Sequence, residues 1–268
     1  MILSSDPPDA ALTEPALLSI DAVDKAFGGV QALSDVSFSV HGGTVMGLIG
    51  PNGAGKTTLF NLISGVYPPS RGELRFEGRS IAGRKVHQIV AGGITRTFQN
   101  VELFESMTVL ENVKVGAHVR TRAGFWSATL RPPSARKEER AVTETARSLL
   151  EFVGLSEHAG TPSSELPFGW QRLLEIARAL ASDPKLLLLD EPAAGLNAVE
   201  TRQLGELIRK IRDRGVTILL VEHDMSLTMD VCDRIVVLDQ GRKIAEGTPH
   251  EVQADSAVMA AYLGTAAG

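Results

Sequence analysis

The chain has 268 residues, a length that suits one large domain or two small ones. Lys plus Arg number 27 and Asp plus Glu number 32, so the formal net charge is −5, which argues against a nucleic-acid partner bound through a broad basic face. The single cysteine, Cys232, excludes an internal disulfide framework and a metal site built from several cysteines. No run approaches the ~18 consecutive apolar residues of a membrane-spanning helix, so we expect any membrane role to depend on another chain.

The first part of the chain is predicted to open with antiparallel strands. Residues 1–16 contain acidic residues and prolines without a basic segment ahead of an apolar run, and we interpret them as a loose leader rather than a secretory signal. Two β-prone runs, Leu18–Val23 and Val36–Val40, flank a Gly-Gly pair. The apolar run Thr44–Ile49 indicates a buried strand, and Lys56–Ser64 has apolar residues at helical spacing.

The centre of the chain shows helical patterns, and the second half returns to strands. Helices are predicted over Val109–Val119 and Glu138–Val153, separated by a Pro-Pro break, and over Gln171–Ser182. The runs Lys185–Leu189 and Thr217–Val221 are almost wholly apolar, which is typical of strands buried on both faces of a parallel sheet. The other predicted elements are the strands Glu73–Phe76, Ile94–Phe98 and Arg234–Leu238 and the helix Ala198–Arg214. Together they predict an α/β core interrupted by a helical insertion.

One glycine-rich motif carries the strongest chemical signal. The stretch GPNGAGKT fits the phosphate-binding pattern G-x-x-x-x-G-K-[ST] at every fixed position and lies between a predicted strand and a predicted helix. Glycines let the main chain wrap a phosphate closely, and N–H groups at the helix N-terminus supply partial positive charge. Lys56 would bridge the β- and γ-phosphates, and the Thr57 hydroxyl would bind Mg²⁺. The residues predicted to bind nucleotide here are Gly50, Pro51, Asn52, Gly53, Ala54, Gly55, Lys56, Thr57 and Thr58.

Polar residues that follow predicted strands form a second candidate cluster. Asp190 and Glu191 end a run of four leucines; Asp190 would hold Mg²⁺, and Glu191 would polarise a water molecule for attack on the γ-phosphate. His223 follows the strand Thr217–Val221, and ligands of open parallel sheets bind at that edge. Gln99 follows another predicted strand and is a possible ligand of water or metal by the same reasoning. Its spacing alone leaves open whether it has such a role.

Taken together, these motifs resemble those of the ATP-binding subunits of ABC transporters. The resemblance extends from Leu17 to about Gly264 in the order of that family. It implies an α/β fold with a P-loop NTPase core and mixed sheet, an N-terminal antiparallel β-subdomain and a helical insertion that carries a signature sequence. The matching stretches are GPNGAGKT, TFQN (Thr97–Asn100), LLLLDEP (Leu186–Pro192), AGLN (Ala194–Asn197) and EHD around His223.

The resemblance also implies a domain plan. A single ATPase domain would cover residues 17–264. Its core would comprise about 17–98 and 183–246, with a helical subdomain at about 99–182 and a C-terminal extension at about 247–264.

By the same resemblance, two nucleotide-binding chains would close head to tail around two ATP molecules, each held by one chain's P-loop and the other's signature. Phe27 would stack on the adenine, with an ordinary core aromatic as the alternative. Gln99 would sense the γ-phosphate, contribute to the Mg²⁺ site and couple both to the membrane subunits. Glu191 would be the general base, and His223 would contact the γ-phosphate.

The signature departs from the family pattern LSGGQ. Pro167 replaces the serine and offers neither a hydroxyl nor an N–H group, so this composite site is expected to be the weaker one in a heteromeric dimer. Gly169 and the N-terminus of the following helix can still present N–H groups to an anion. We interpret Trp170 as a packing residue. The signature residues are Leu166, Pro167, Phe168, Gly169, Trp170 and Gln171.

Within the family, the chain is most similar to the ATPases of branched-chain amino acid uptake systems. The similarity lies in GITRTFQN (Gly93–Asn100), LFESMTVLENV (Leu103–Val113), DEPAAGLN (Asp190–Asn197) and GTPHEV…VMAAYLG (Gly247–Gly264). It implies ATP and Mg²⁺ as cofactors and a peripheral location on the cytoplasmic face of the inner or plasma membrane. Expected partners are a second ATPase chain in a homo- or heterodimer, two transmembrane permease subunits and an extracytoplasmic substrate-binding protein, with no nucleic acid.

Two alternatives stay open at this point. The same kind of ATPase could serve another cargo, namely urea, short amides or lipopolysaccharide export. A P-loop regulator that binds ATP without transport is a different class, and the presence of Glu191 and His223 argues against an inactive ATPase.

Overall fold

The computed structural model describes residues 15–97, 102–117 and 133–264. Residues 1–14 of the predicted leader, Gln99 and residues 118–132 lie outside these ranges. The strands are β1 (Leu18–Phe27), β2 (Val30–Val40), β3 (Val45–Ile49), β4 (Arg71–Phe76), β5 (Arg79–Ser80), β6 (Ile94–Arg96), β7 (Leu186–Asp190), β8 (Thr217–Val221), β9 (Arg234–Asp239) and β10 (Arg242–Gly247). The α-helices are α1 (Lys56–Ile63), α2 (Val86–Ala91), α3 (Val109–Ala117), α4 (Pro133–Phe152), α5 (Phe168–Leu180), α6 (Ala198–Asp213), α7 (Met225–Val231), α8 (Pro249–Ala254) and α9 (Ser256–Gly264).

A six-stranded sheet forms the centre of the molecule, in the order β10-β9-β3-β8-β7-β6. The strands β9, β3, β8, β7 and β6 run parallel, and β10 pairs antiparallel with β9 at one edge. Because β3, β8 and β7 are parallel neighbours, the segments that follow them emerge at the same edge of the sheet. This topology brings the glycine-rich loop, the segment after Asp190 and the segment after Val221 together.

A four-stranded antiparallel sheet, in the order β2-β1-β4-β5, covers one face of this centre. The strand β1 extends past the predicted run to Phe27, and its pairing with β2 shifts register between Ile20 and Val23. Such irregularities interrupt the alternation of apolar and polar residues, which explains why the sequence pattern predicted a shorter strand.

Successive residues of the central strands point to two different hydrophobic cores. Leu187 and Leu189 belong to the core shared with the helices of the middle and C-terminal regions. Leu186 and Leu188 belong to the core that packs against α1 and the antiparallel sheet. These buried, almost wholly apolar strands confirm the prediction of a parallel sheet covered on both faces.

Several element boundaries differ from the prediction. The helix predicted to begin at Glu138 begins at Pro133, and proline is tolerated in the first turn because its missing N–H would have no helical partner there. The helix predicted to begin at Gln171 begins at Phe168, so most of the signature lies in its first turn. The predicted strand Ile94–Phe98 ends at Arg96.

The prediction omitted the short helices and the edge strand β10. Helices of six or seven residues, such as α2, α7 and α8, contain too few turns for a hydrophobic period to be recognised. Among the helices of the described ranges, none combines the length and the apolar character that a bilayer-spanning segment needs.

Candidate functional site

The loop between β3 and α1 depends on its glycines. Gly50, Gly53 and Gly55 have φ angles of +150°, +81° and +103°. A Cβ atom at Gly50 would lie 2.1 Å from the carbonyl oxygen of Leu238, and one at Gly55 would lie 2.8 Å from that of Ala32. A Cβ atom at Gly53 would meet nothing within 4 Å. The first and last glycines therefore let the loop pack closely against β9 and β2, whereas Gly53 faces open space.

Lys56 is buried within this loop. Its Nζ donates hydrogen bonds to the carbonyl oxygens of Gly50 at 2.6 Å and of Pro51 at 3.1 Å. Burial lowers the pKa of Lys56 below its ordinary value of 10.5, while the carboxylates of Glu191 and Asp190 act in the opposite direction. The ammonium group is therefore close enough to interact with both acidic residues.

The first turn of α1 provides main-chain N–H donors in addition to the ammonium group of Lys56. No side chain caps the helix N-terminus, and the first turn contains no acidic residue. The N–H groups of a first helical turn have no intrahelical partner and lie at the positive end of the helix dipole. Thr57 is exposed and Thr58 is half-buried in the same turn. The ammonium, amide and hydroxyl groups of this loop match the oxygens of a polyphosphate.

Asp190 ends β7 in a buried ion pair. Arg96 Nη2 lies 2.6 Å from Asp190 Oδ2, and the two side chains are only 8% and 5% exposed. Arg96 Nη1 donates to Asn61 Oδ1 at 2.6 Å and to Ser64 Oγ at 3.3 Å, and the guanidinium carbon lies 5.5 Å from the ring centroid of Phe60. Because these three partners lie in or directly after α1, Arg96 connects the strand of Asp190 to the helix that follows the glycine-rich loop.

Glu191 and His223 form a hydrogen-bonded pair across the ends of β7 and β8. Glu191 Oε1 lies 2.8 Å from His223 Nε2. The N–H of Glu191 donates to the carbonyl oxygen of Val221 at 2.8 Å, and Glu191 has a φ of +49°. Residues other than glycine are uncommon in this left-handed region, and such strain is concentrated at functional sites. A carboxylate and an imidazole, both able to accept a proton, therefore lie together at this edge.

Phe27 lies on the surface, at the end of β1. Its ring is 42% exposed, so the alternative of an ordinary core aromatic is wrong. The ring of Tyr67 contacts it in a T-shaped arrangement with centroids 5.4 Å apart, and Lys25 Nζ lies 4.9 Å from its centroid. The pairing of Phe27 with Val30 places it on the strand pair whose Ala32 touches the glycine-rich loop. An exposed, laterally supported ring is available to stack on a planar ligand.

The predicted signature packs against the segment that follows Asp190. Pro167 is the N-cap of α5, and Phe168 is its first residue. A Cβ atom at Gly195 would lie 2.8 Å from Phe168 Cε1, and one at Gly169 would lie 2.7 Å from Glu200 Oε1. The start of α5 is therefore in direct contact with the AGLN segment and the first turn of α6.

The remaining signature residues make local contacts. Trp170 packs against the ring of His158 with centroids 4.5 Å apart, which is a packing contact of the kind predicted for it. Gln171 Nε2 donates to the carbonyl oxygen of Leu166 at 3.0 Å. Leu166 is buried, whereas Trp170 remains partly exposed.

Two residues that contact the site were absent from the sequence prediction. Arg96 is a charged residue within a short predicted strand. A charge at such a position indicates a buried ion pair, and this signal was present in the sequence. Tyr262, in α9, hydrogen-bonds the main chain of Gly50; burial raises the pKa of Tyr262, and this bond acts in the opposite direction. No local sequence pattern connects Tyr262 to the glycine-rich loop, which lies far earlier in the chain. Gln99 lies outside the described residues, so its role stays a prediction.

Two family models match the chain. The model described as ABC transporter matches residues 33–194. The model described as Branched-chain amino acid ATP-binding cassette transporter matches residues 242–268, which include α8 and α9. Together the two models cover both the glycine-rich loop and the C-terminal segment.

Relatives and solved structures cover nearly the whole chain. The high-affinity branched-chain amino acid transport ATP-binding protein LivG of Salmonella typhimurium is 45% identical over 251 residues, which are 93% of this chain and 98% of the relative. The corresponding protein BraF of Pseudomonas aeruginosa is 44% identical over 251 residues with the same coverage. The ADP conformation of MJ1267, an ATP-binding cassette of an ABC transporter, superposes with a TM-score of 0.82 at 33% identity, covering 94% of this chain and 100% of that one.

Proposed function

Because this chain belongs to the ABC transporter family and is an ATPase, we propose that it is the subunit that energises import of branched-chain or related amino acids. The hydrogen bond between Glu191 and His223, beside the buried Lys56, is the observation that carries the hydrolytic part of this proposal. The cargo is proposed from the likeness to LivG and BraF, which includes the C-terminal segment.

The glycine-rich loop would bind the triphosphate of ATP. The main-chain N–H groups of the first turn of α1 would donate to phosphate oxygens, and Lys56 would exchange its bonds to the loop carbonyls for the β- and γ-phosphates. Phe27 would stack on the adenine through its exposed ring. Oxygen atoms of Thr57, Gln99 and Asp190 suit a magnesium ion, which would neutralise charge on the phosphates when bound.

Glu191 and His223 would then act on the attacking water and the γ-phosphate. Glu191 Oε1 would accept a proton from the water, since a carboxylate positioned at a strand end can serve as a general base. His223 would orient Glu191 through their 2.8 Å hydrogen bond and contact the γ-phosphate from the other side. The hydrogen bond from the N–H of Glu191 to the carbonyl oxygen of Val221 joins the ends of β7 and β8, which favours this arrangement because catalysis requires fixed geometry of the reacting groups.

We propose that hydrolysis takes place in a head-to-tail dimer, with a second copy of this chain or with a related ATPase. The signature residues 166–171 would face the ATP molecule of the partner chain. The first turn of α5 can present the N–H groups of Phe168 and Gly169 to an anion, while Pro167 supplies no hydroxyl. A composite site with this signature would therefore be the weaker one in a heteromeric dimer.

The membrane partners would be two transmembrane permease subunits, aided by an extracytoplasmic substrate-binding protein, with this chain on the cytoplasmic face. We propose that a permease docks in a cavity of about 550 Å³ between β6 and the helices α3 and α5. The cavity exposes the ring of Phe104, over which Arg178 lies at 5.7 Å from the ring centroid. Its lining includes Arg96 and Glu102, which flank in the sequence Gln99, the residue expected to couple nucleotide and membrane subunits.

Two substitutions test the ATPase mechanism separately from binding. Glu191→Gln should bind ATP with unchanged affinity but hydrolyse it about 10²–10⁴-fold more slowly, because the water loses its base while the phosphate loop is intact. Lys56→Ala should lose ATP affinity in calorimetry, because the charge of the phosphates is no longer compensated. Turnover at the original rate in Glu191→Gln, or unchanged ATP binding in Lys56→Ala, would contradict the respective role.

Co-purification tests the docking cavity. Phe104→Ser should reduce recovery of the permease subunits with the tagged chain, whereas Met259→Ser, at an equally exposed apolar side chain elsewhere, should leave it unchanged. Equal recovery with both variants would refute the assignment of the cavity.

Reconstitution tests the cargo. The complex with its co-purified permease and binding protein, in proteoliposomes with internal ATP, should accumulate leucine, isoleucine or valine. Uptake of urea or short amides instead would support one of those cargoes. A complex that takes up no amino acid but exports lipopolysaccharide would support the export function.

A further inference from the structure

A buried carboxylate lies next to His223 and takes no part in the chemistry proposed above. Glu222 directly follows β8 and is only 4% exposed. Its Oε1 atom accepts a hydrogen bond from the N–H of Ala193 at 2.7 Å. Its Oε2 atom accepts hydrogen bonds from the N–H groups of His223 at 2.7 Å and Asp224 at 3.2 Å. The two oxygens of one side chain therefore hold the main chains of two different segments.

The carboxylate of Glu222 and the N–H groups that it binds depend on one another. A buried carboxylate is unfavourable unless it is hydrogen-bonded, and a buried main-chain N–H group equally needs an acceptor. Hydrogen bonds to an ionised acceptor are stronger than those between neutral groups. Separation of the segments after β7 and β8 would break the bond from Ala193 and leave both Glu222 Oε1 and the Ala193 N–H without a partner.

The two segments are those that carry the reacting pair. Ala193 follows Glu191 by two positions, and His223 follows Glu222 directly. The side chains of Glu191 and His223 are 2.8 Å apart, so a shift of one segment by roughly 1 Å would break their hydrogen bond.

We propose that Glu222 is a positioning residue that fixes the distance between Glu191 and His223 by binding both segments at once. This inference rests on the roles proposed above for Glu191 and His223. A carboxylate suits the task because it accepts hydrogen bonds at both oxygens. The side-chain amide of glutamine has one accepting oxygen, and its NH₂ group would face an N–H donor on the other side, so Glu222→Gln can hold only one segment.

Steady-state ATPase kinetics, combined with ATP calorimetry, separate positioning from binding. In Glu222→Gln we expect kcat to fall by about 10²-fold, the effect of a displacement of roughly 1 Å, with the ATP affinity unchanged within about twofold. The matched control is Glu251→Gln, because Glu251 also accepts a main-chain N–H, from Thr248 at 2.8 Å, but lies at the start of α8 outside the site. The control should retain the original kcat, since glutamine also serves at this position of a capping box.

A double-mutant comparison distinguishes positioning from general loop stability. If Glu222 acts through His223, then Glu222→Gln should cost less than about threefold in a His223→Ala background, because the pair that it positions is already lost. An equal cost in both backgrounds, or a folded Glu222→Gln variant with kcat within about threefold of the original, would overturn the proposal. Wild-type turnover in Glu191→Gln would instead refute the proposed base and would be recognised independently of Glu222.

A second variant covers the case in which Glu222→Gln does not fold. Glu222→Asp keeps the charge but shortens the side chain by one methylene, so it can approach only one of the two segments closely. We expect reduced kcat with retained ATP affinity in this variant. An unchanged kcat in folded Glu222→Asp would overturn the proposal.

Discussion

The buried pair of Arg96 and Asp190 allows a stability prediction with a magnitude. Both side chains are less than a tenth exposed, and their charged atoms are 2.6 Å apart. The substitution Arg96→Met keeps the length of the side chain but leaves the carboxylate of Asp190 buried without this partner. Removing one member of a buried ion pair costs about 3–5 kcal/mol, because the remaining charge is not compensated. Such a loss would be a large part of the total stability of a typical domain, which is about 5–15 kcal/mol.

The surface pair of Arg209 and Asp230 provides the matched control. Its side chains are 35% and 60% exposed, and exposed ion pairs contribute about 0–1 kcal/mol. Urea unfolding of Arg96→Met and Arg209→Met, without nucleotide, should therefore give clearly different losses in the free energy of unfolding. The double variant Arg96→Met/Asp190→Asn should recover part of the loss, since no buried charge is left alone. Equal, small losses in both single variants would refute the burial argument.

Substitutions at three further positions test local features of the same region. Gly195→Ala should lower the free energy of unfolding by about 1–2 kcal/mol, because Gly195 has a φ of +82° and a Cβ atom would lie 2.8 Å from Phe168; a smaller loss would contradict this close contact. Asn197→Ala should cost about 1 kcal/mol in urea unfolding through loss of the α6 cap, and Asn197→Asp, which can still cap, should restore most of it. Hydrogen bonds from Ser226 and Leu227 hold the pKa of Asp224 below its usual 3.8. The stability advantage of the wild type over Asp224→Ala should therefore be full above that pH and disappear as the pH falls through the folded-state pKa. An advantage that is independent of pH would refute this prediction.

Contiguous patterns in the sequence determined much of the site. The glycine-rich loop occupies eight successive positions from Gly50, so its glycines, lysine and threonine follow from local spacing alone. The leucine run before Asp190 is wholly apolar and predicts a buried strand, which places the two acidic residues at the end of that strand. The histidine at position 223 follows from the same reasoning, because it lies two positions after the end of an apolar strand. Segments with a clear period or an unbroken apolar run indicate their own structure because their burial depends on neighbouring positions.

Only the tertiary structure decided which of these segments meet and which side chains hold them together. Asp190 pairs with Arg96, which lies 94 positions earlier, and Ala193 bonds to Glu222, which lies 29 positions later. Phe168 packs against Gly195, although the two lie in separate segments, ahead of the predicted helices Gln171–Ser182 and Ala198–Arg214. These contacts depend on the strand order β3-β8-β7-β6, in which segments distant along the chain become neighbours. Local spacing carries no information on that order, because a strand's own residues determine its burial but not the identity of the strand beside it.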